Sequence, residues 1–177
     1  MSPLVDIVTI GTELILGRVA DVNAAWLAGR VVAVGGRVRR IVTVRDDPAD
    51  IVAAVSSAAA RGATHIITTG GLGPTPDDLT VETVARMMGR GVVVDEGLVT
   101  HFRHKLRLAE DAEIGPAMRK VATVPVRAAA GPNLAGWGHC ITADYSGITL
   151  FILPGPPKEV EGLFPLYIEP VLRGGGA

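Results

Sequence analysis

Val5-Asp6-Ile7-Val8-Thr9-Ile10, closed by Gly11, is the stretch on which the fold turns. Six residues are too few for a helix, and the run is rich in β-branched side chains, so it predicts a buried first strand. The period then changes. From Val22 to Val34 apolar residues recur at helical spacing, Asp21 is placed to cap the start, and Gly35-Gly36 supplies a left-handed exit. Strand, loop and helix in that order open an α/β unit.

The same alternation continues outward. Arg37–Val44 alternates basic and apolar residues and predicts a second strand; Asp47 caps a helix with Pro48 at its first position, running to about Arg61 and ended by Gly62. His65–Thr69 predicts a third strand, Thr80–Met88 a helix ended by Gly89, and Gly91–Val94 a brief edge strand or hairpin arm. Asp95 caps a helix through Leu108. Within Ala109–Pro125 a short helix near Pro116–Lys120 is the preferred reading, and the region is a candidate lid. Cys140–Ala143 and Ile148–Leu153 flank Asp144-Tyr145-Ser146-Gly147 as a hairpin, and helical material follows Pro157. Right-handed crossovers then require a three-layer α/β/α sandwich with a mainly parallel sheet, plus a small β-hairpin.

Composition agrees. A chain of 177 residues fits one domain, read as 1–173 with a frayed tail at 174–177, and buries roughly 70% of its unfolded surface. With 48% hydrophobic residues but 4% aromatics, the core must be aliphatic, as in parallel strands covered by helices. Seventeen Lys plus Arg against 18 Asp plus Glu leave no field to draw the chain onto nucleic acid or an anionic membrane. The start carries no basic segment followed by a long apolar run, and no uncharged stretch nears the ~20 residues of a membrane helix, so a cytoplasmic protein is expected. The single cysteine, Cys140, reads as a small buried apolar residue and suits a reducing compartment.

In open α/β sheets ligands bind beyond the carboxyl ends of the strands. Four loops qualify: Gly11-Thr12-Glu13, Arg45-Asp46-Asp47, Thr69–Asp78 and Pro154-Gly155-Pro156-Pro157. The third is the most informative. In Thr69-Gly70-Gly71-Leu72-Gly73-Pro74-Thr75-Pro76-Asp77-Asp78, three glycines in four residues let the backbone approach an anion, and the following helix adds its positive end. No Gly-Lys-Ser/Thr follows, so this is not a P-loop, and the glycine spacing is not a dinucleotide fingerprint.

Asp77 and Asp78 would repel a phosphate unless a divalent cation lies between, and Mg²⁺ is typically held by one or two carboxylates plus substrate phosphates. Asp78 is the better candidate ligand of the two. Asp47 serves as a cap, which leaves Asp46 for the site. Glu13 is placed to bond a ligand amine or hydroxyl. Lys158, near a helix start where a structural cation is disfavoured, fits an anionic ligand as well as it fits a solvated surface. His101 and His104 share a helix face without a further ligand, His65 reads as structural, His139 stays unclassified, and no pattern marks a covalent nucleophile.

Gly11-Thr12-Glu13-Leu14 with Gly17 and Asn23, Thr69-Gly70-Gly71-Leu72-Gly73-Pro74-Thr75 with Asp77-Asp78-Leu79-Thr80, and Leu153-Pro154-Gly155-Pro156-Pro157 together resemble the N-terminal domain of the CinA (competence/damage-inducible protein A) family, within the wider MoaB/Mog molybdopterin-binding group. The likeness covers nearly the whole chain in order and spacing. It implies that Asp46 and Asp78 handle metal and phosphate, with Gly11, Thr12, Glu13, Thr69, Gly70, Gly71, Gly73, Thr75, Asp77, Gly155, Pro156 and Lys158 around the ligand. Two segments depart from the CinA pattern. Met118-Arg119-Lys120-Val121-Ala122 stands for an Asn-Arg-Lys-Gln-Ala-like stretch, and Asn133-Leu134-Ala135-Gly136-Trp137-Gly138 stands for Gly-Thr-Ala-Pro-Gly.

For CinA-like domains the resemblance implies metal-dependent hydrolysis of ADP-ribose at its pyrophosphate. For the MoaB/Mog group it implies joining a phosphorylated pterin to AMP. Both need an amide-rich phosphate cradle and a cation neutralising charge at phosphorus. A non-catalytic binding module of the same fold is the third alternative. The implied partners are a small phosphorylated ligand and a second or third copy of the chain. The C-terminal amidase domain of full-length CinA, and with it nicotinamide-nucleotide deamidation, is not expected.

Overall fold

The computed structural model describes residues 2–134 and 136–175. A six-stranded sheet forms its centre, in the order β2-β1-β3-β8-β7-β6. Strand β1 (Leu4–Ile10) pairs in parallel with β2 (Arg37–Val44) and β3 (His65–Thr69), and β3 pairs in parallel with β8 (Ile148–Leu153). Beyond β8 the pairing turns antiparallel through β7 (His139–Tyr145) and β6 (Ala129–Pro132). The expected hairpin is thus the continuation of the main sheet. Its turn places Ser146 and Gly147 at φ 54° and 81°, the geometry of the tight primed turns that match strand twist.

Alternation along β1 shows how the layers form. Val8 and Ile10 face a core shared with α3 (Pro48–Ala60), α4 (Thr80–Met87) and α5 (Glu96–Leu106), while Val5 and Ile7 face α2 (Val22–Ala33) and α7 (Pro157–Leu163). Helices α2, α3 and α5 begin where a capping carboxylate stands. Asp21 accepts from the Ala24 amide at 2.9 Å, Asp47 from Ala49 at 2.9 Å and Asp50 at 3.2 Å, and Asp95 from Leu98 at 2.8 Å. Each such cap stabilises its helix by about 1 kcal/mol.

Four details differ from the sequence reading. The loop after β1 contains one helical turn, α1 (Thr12–Ile15), and β6 is a strand in an Ala-Gly-Pro segment that carries no strand signal. The brief run β4 (Val92–Val94) leaves the main sheet and pairs antiparallel with β5 (Thr123–Pro125), directly after α6 (Pro116–Val121). After α7 the chain continues in wide π-type turns over Phe164–Ile168 and Val171–Gly175, broken by Gly174 at φ 95°. Of the tail expected to fray at 174–177, residues 176–177 lie outside the described residues. Among the described residues no helix is long and apolar enough to cross a membrane.

Candidate active site

Where β1, β2, β3 and β8 end, their loops enclose a cleft of about 770 Å³. The loop after β2 is stapled to the loop after β1. The Asp46 Oδ2 accepts from the Thr12 amide at 2.7 Å and from Thr12 Oγ1 at 2.9 Å, and Thr12 Oγ1 accepts from the Asp46 amide at 3.2 Å. Farther along the rim, Asp78 Oδ2 accepts from the Thr75 amide at 2.9 Å and Thr75 Oγ1 at 2.6 Å, while Lys120 Nζ donates to the Thr75 carbonyl. Asn23 Nδ2 ties the β3 and β8 ends together by donating to Thr69 Oγ1 at 3.1 Å and the Gly155 carbonyl at 2.8 Å.

Each glycine of the 70–73 loop has a packing reason. Gly70 (φ 107°) lies so close to β1 that a Cβ would collide with the Ile10 carbonyl, and one on Gly71 (φ 71°) would collide with the Thr80 hydroxyl. A Cβ on Gly73 would press on the Asp78 carboxylate. What the glycines leave over is backbone. Gly70 donates to the Leu153 carbonyl at 3.0 Å, but the next three amides, of Gly71, Leu72 and Gly73, make no hydrogen bond among the described residues. Successive free amides beginning at left-handed residues form an anion-binding concavity.

The wall around those amides is acidic. Glu13, Asp46, Asp77, Asp78 and Glu159 line the cleft, with Arg18 as the basic residue. Among the described residues no group of three or more His, Cys, Asp or Glu side chains is arranged to hold a metal ion. A closed protein cage is therefore not formed. The donor set suits a hard cation held by one or two carboxylates and completed by ligand and water oxygens, the usual arrangement for Mg²⁺.

Against known proteins, the model of the family described as a probable molybdopterin binding domain matches residues 6–174. The chain belongs to that molybdopterin-binding-domain family. It is 39% identical over 170 residues to a CinA-like protein of Geobacter sp. (strain M21), covering 96% of this chain and 40% of that protein. It is 40% identical over 174 residues to a protein of Pyrobaculum calidifontis, covering 98% of this chain and 66% of that one. The chain thus spans 66% or less of the length of these curated relatives. The crystal structure of the protein CinA from Thermoplasma acidophilum superposes with a TM-score of 0.82 at 30% identity, over 93% of this chain and 95% of that one. The tungsten cofactor synthesizing protein MoaB from Pyrococcus furiosus shares the fold at a TM-score of 0.65 and 17% identity, over 96% and 92% of the two chains.

In this member of the molybdopterin-binding-domain family, Thr12, Glu13, Asp46, Gly70, Gly71, Gly73, Asp77, Asp78, Gly155 and Pro156 come together on the cleft wall. Four other residues expected at the ligand sit elsewhere. Thr69 is 2% exposed and donates to the Pro154 carbonyl at 2.7 Å, so it pins β3 to β8 from beneath. Gly11 lies behind the Glu13 carboxylate. Thr75 orients Asp78 from outside the wall, and Lys158 is exposed at the start of α7. The neighbour of Lys158 takes the inner position instead. Glu159 accepts from the Trp137 amide at 2.8 Å and the Gly138 amide at 3.1 Å, anchoring the 136–138 segment to the cleft. Trp137, within the 133–138 segment that departs from the CinA pattern, also lines it, as does Arg18, an isolated loop arginine that carries no motif.

The buried titratable groups lie outside this wall. Burial pushes the Cys140 thiol up to about 12, which makes it an inert core residue. His139 is 1% exposed with neither ring nitrogen hydrogen-bonded among the described residues, and burial pulls it down to about 4 against a smaller opposing effect of Asp95. At neutral pH it is an uncharged packing residue.

Proposed function

We propose that the cleft binds a nucleotide pyrophosphate such as ADP-ribose and that the protein hydrolyses it with a divalent cation, in the cytoplasm. The observation that carries the reading is the run of free amides at Gly71, Leu72 and Gly73 inside an acid-lined cleft. The amides receive a phosphate, and the carboxylates need a cation beside it. A divalent ion on Asp46 and Asp78 would neutralise charge at phosphorus and lower the pKa of a bound water. Glu13 is placed to take the proton as water oxygen bonds to phosphorus. The bridging P–O bond breaks, and ADP-ribose becomes AMP and ribose 5-phosphate. Thr12 and Thr75 are positioning residues, since each holds one carboxylate oxygen. The exposed apolar row Ile15, Leu16, Val19 and Val22, each at least 48% exposed, supports a homo-oligomer, dimer or trimer.

The family description, a probable molybdopterin binding domain, supports a phosphorylated pterin as ligand; a second reading, transfer of AMP to that pterin, uses the same parts. One experiment separates the readings. Release of AMP from ADP-ribose that requires Mg²⁺ or another divalent ion supports hydrolysis. Release of pyrophosphate from ATP only when a pterin is supplied supports adenylyl transfer. Tight metal-dependent binding of these ligands without turnover identifies a binding module and overturns both enzymatic readings.

A further inference from the structure

We propose that Trp137 is the stacking platform for the aromatic heterocycle of the phosphorylated ligand, which makes it a specificity-determining residue. This rests on the Gly71–Gly73 amides being the phosphate end of the site. Trp137 is 41% exposed and lines the cleft. An indole so open to water is normally mobile; this one is held from several sides. Its own amide and that of Gly138 donate to the two oxygens of Glu159, and Lys105 Nζ donates to the Gly136 carbonyl just before it. The same Lys105 ammonium lies over the indole, 5.0 Å from the ring centroid, and the buried Phe102 ring packs at 6.1 Å and 51°.

The backbone on either side is pressed equally hard. A Cβ on Gly136 would run into the Glu159 carboxylate, and one on Gly138 into Glu159 and Pro154. A large aromatic surface fixed in place and still presented to a ligand cleft has already lost the freedom that binding would otherwise remove. Every purine or pterin offers a π-face to such a surface, whatever its hydrogen-bonding edge. The cleft, at about 770 Å³, has room for a heterocycle beyond the phosphates.

The test uses the full chain in a Trp26→Phe background, which leaves Trp137 as the one indole of the two in the sequence. Pyrophosphate, ADP, adenosine and neopterin are titrated with Mg²⁺, following binding by calorimetry and Trp137 emission. We expect ADP to quench Trp137 and to bind more tightly than pyrophosphate. In a Trp137→Ala variant that advantage falls about tenfold, from the usual worth of base–aromatic stacking, with pyrophosphate binding unchanged. Trp137→Phe keeps most of it. Adenosine against neopterin shows which heterocycle the platform prefers. An ADP-over-pyrophosphate ratio untouched by Trp137→Ala overturns the platform and leaves the phosphate cradle standing. Adenosine binding and quenching without any pyrophosphate binding overturns the cradle and keeps the platform, pyrophosphate binding without binding of ADP, adenosine or neopterin overturns the platform, and binding of none of the four overturns both.

Discussion

Asp46 has two jobs in this reading, and replacing it with asparagine separates them. Its Oδ2 receives two hydrogen bonds from Thr12, at 2.7 and 2.9 Å, and the side chain is half-buried between the loops after β1 and β2. An amide oxygen in the same place still accepts both. Bonds to a charged acceptor contribute about 1.5–3 kcal/mol and neutral ones about 0.5–1.5, so with partial exposure Asp46→Asn should cost about 1–2 kcal/mol of stability. Thr12→Val removes one of the two bonds to Oδ2 and also the bond from the Asp46 amide, leaves the carboxylate in place, and should cost about 1–2 kcal/mol. Turnover should not follow stability. Losing the charge that holds the cation should lower the rate of AMP release from ADP-ribose about 100- to 1000-fold, while Thr12→Val loses about tenfold or less through poorer positioning. Urea denaturation gives the stabilities, and AMP release at saturating Mg²⁺ gives the rates. If Asp46→Asn turns over within about threefold of Thr12→Val, Asp46 is a staple between loops and the ion has no use for it.

Gly70→Ala should destabilise the fold by about 2–5 kcal/mol, the sum of a strained φ of 107° and a collision with the Ile10 carbonyl that the paired end of β1 cannot relieve; a loss below about 1 kcal/mol in urea would mean the loop has slack. His139 supplies a pH dependence of definite sign. Its folded value of about 4 lies below the ordinary 6.5, so the unfolded chain binds the proton first, and stability is lost as pH falls from 6.5 toward 4 at up to about 1.4 kcal/mol per unit. His139→Leu should flatten that slope in acid-unfolding curves, and an unchanged slope would place the titration elsewhere. Cys140, 1% exposed and pushed up to about 12, should stay unlabelled by a thiol reagent at pH 8 until urea unfolds the chain; labelling at the rate of a free thiol in the native protein would contradict its burial.

What could be read from the residues was whatever a single position decides. Asp21, Asp47 and Asp95 each mark a change of period, and each caps the helix that follows. Strands β5 and β6 could not be read that way. Thr123–Pro125 is only three residues long and ends in proline, and Ala129–Pro132 carries alanine, glycine and proline, which strands disfavour; the two pair with the edges that β4 and β7 offer. The same limit applies at the site. Lys158 and Glu159 are neighbours on one helix turn, and charge alone favours the lysine for an anionic ligand. The phase of α7, starting at Pro157, turns Glu159 inward to the Trp137 and Gly138 amides and leaves Lys158 exposed. Helix phase is a tertiary property, and no motif encodes it.

The glycines of the 70–73 loop show a different kind of gap. Their number suggests ligand approach, yet Gly70 is needed against Ile10, Gly71 against Thr80 and Gly73 against Asp78, so a loop with no ligand would require them too. The functional signal is in the amides that this packing leaves without partners, and a sequence does not display hydrogen bonds that are not made. In the proposed function those amides receive an anion. The five carboxylates around them, faced by Arg18, oppose one. Thr12, Thr75 and the Trp137 and Gly138 amides bond oxygens of Asp46, Asp78 and Glu159, but five carboxylates on one wall still repel one another unless something compensates them. Under the proposed function a phosphate bound together with a divalent cation would satisfy both at once: the amides would take the oxygens the metal does not, and the metal would take the charge the amides cannot. The two features would then be one site. Ligand binding that is independent of the cation would break that link, because an anion would then be held against the acid wall by the amides alone.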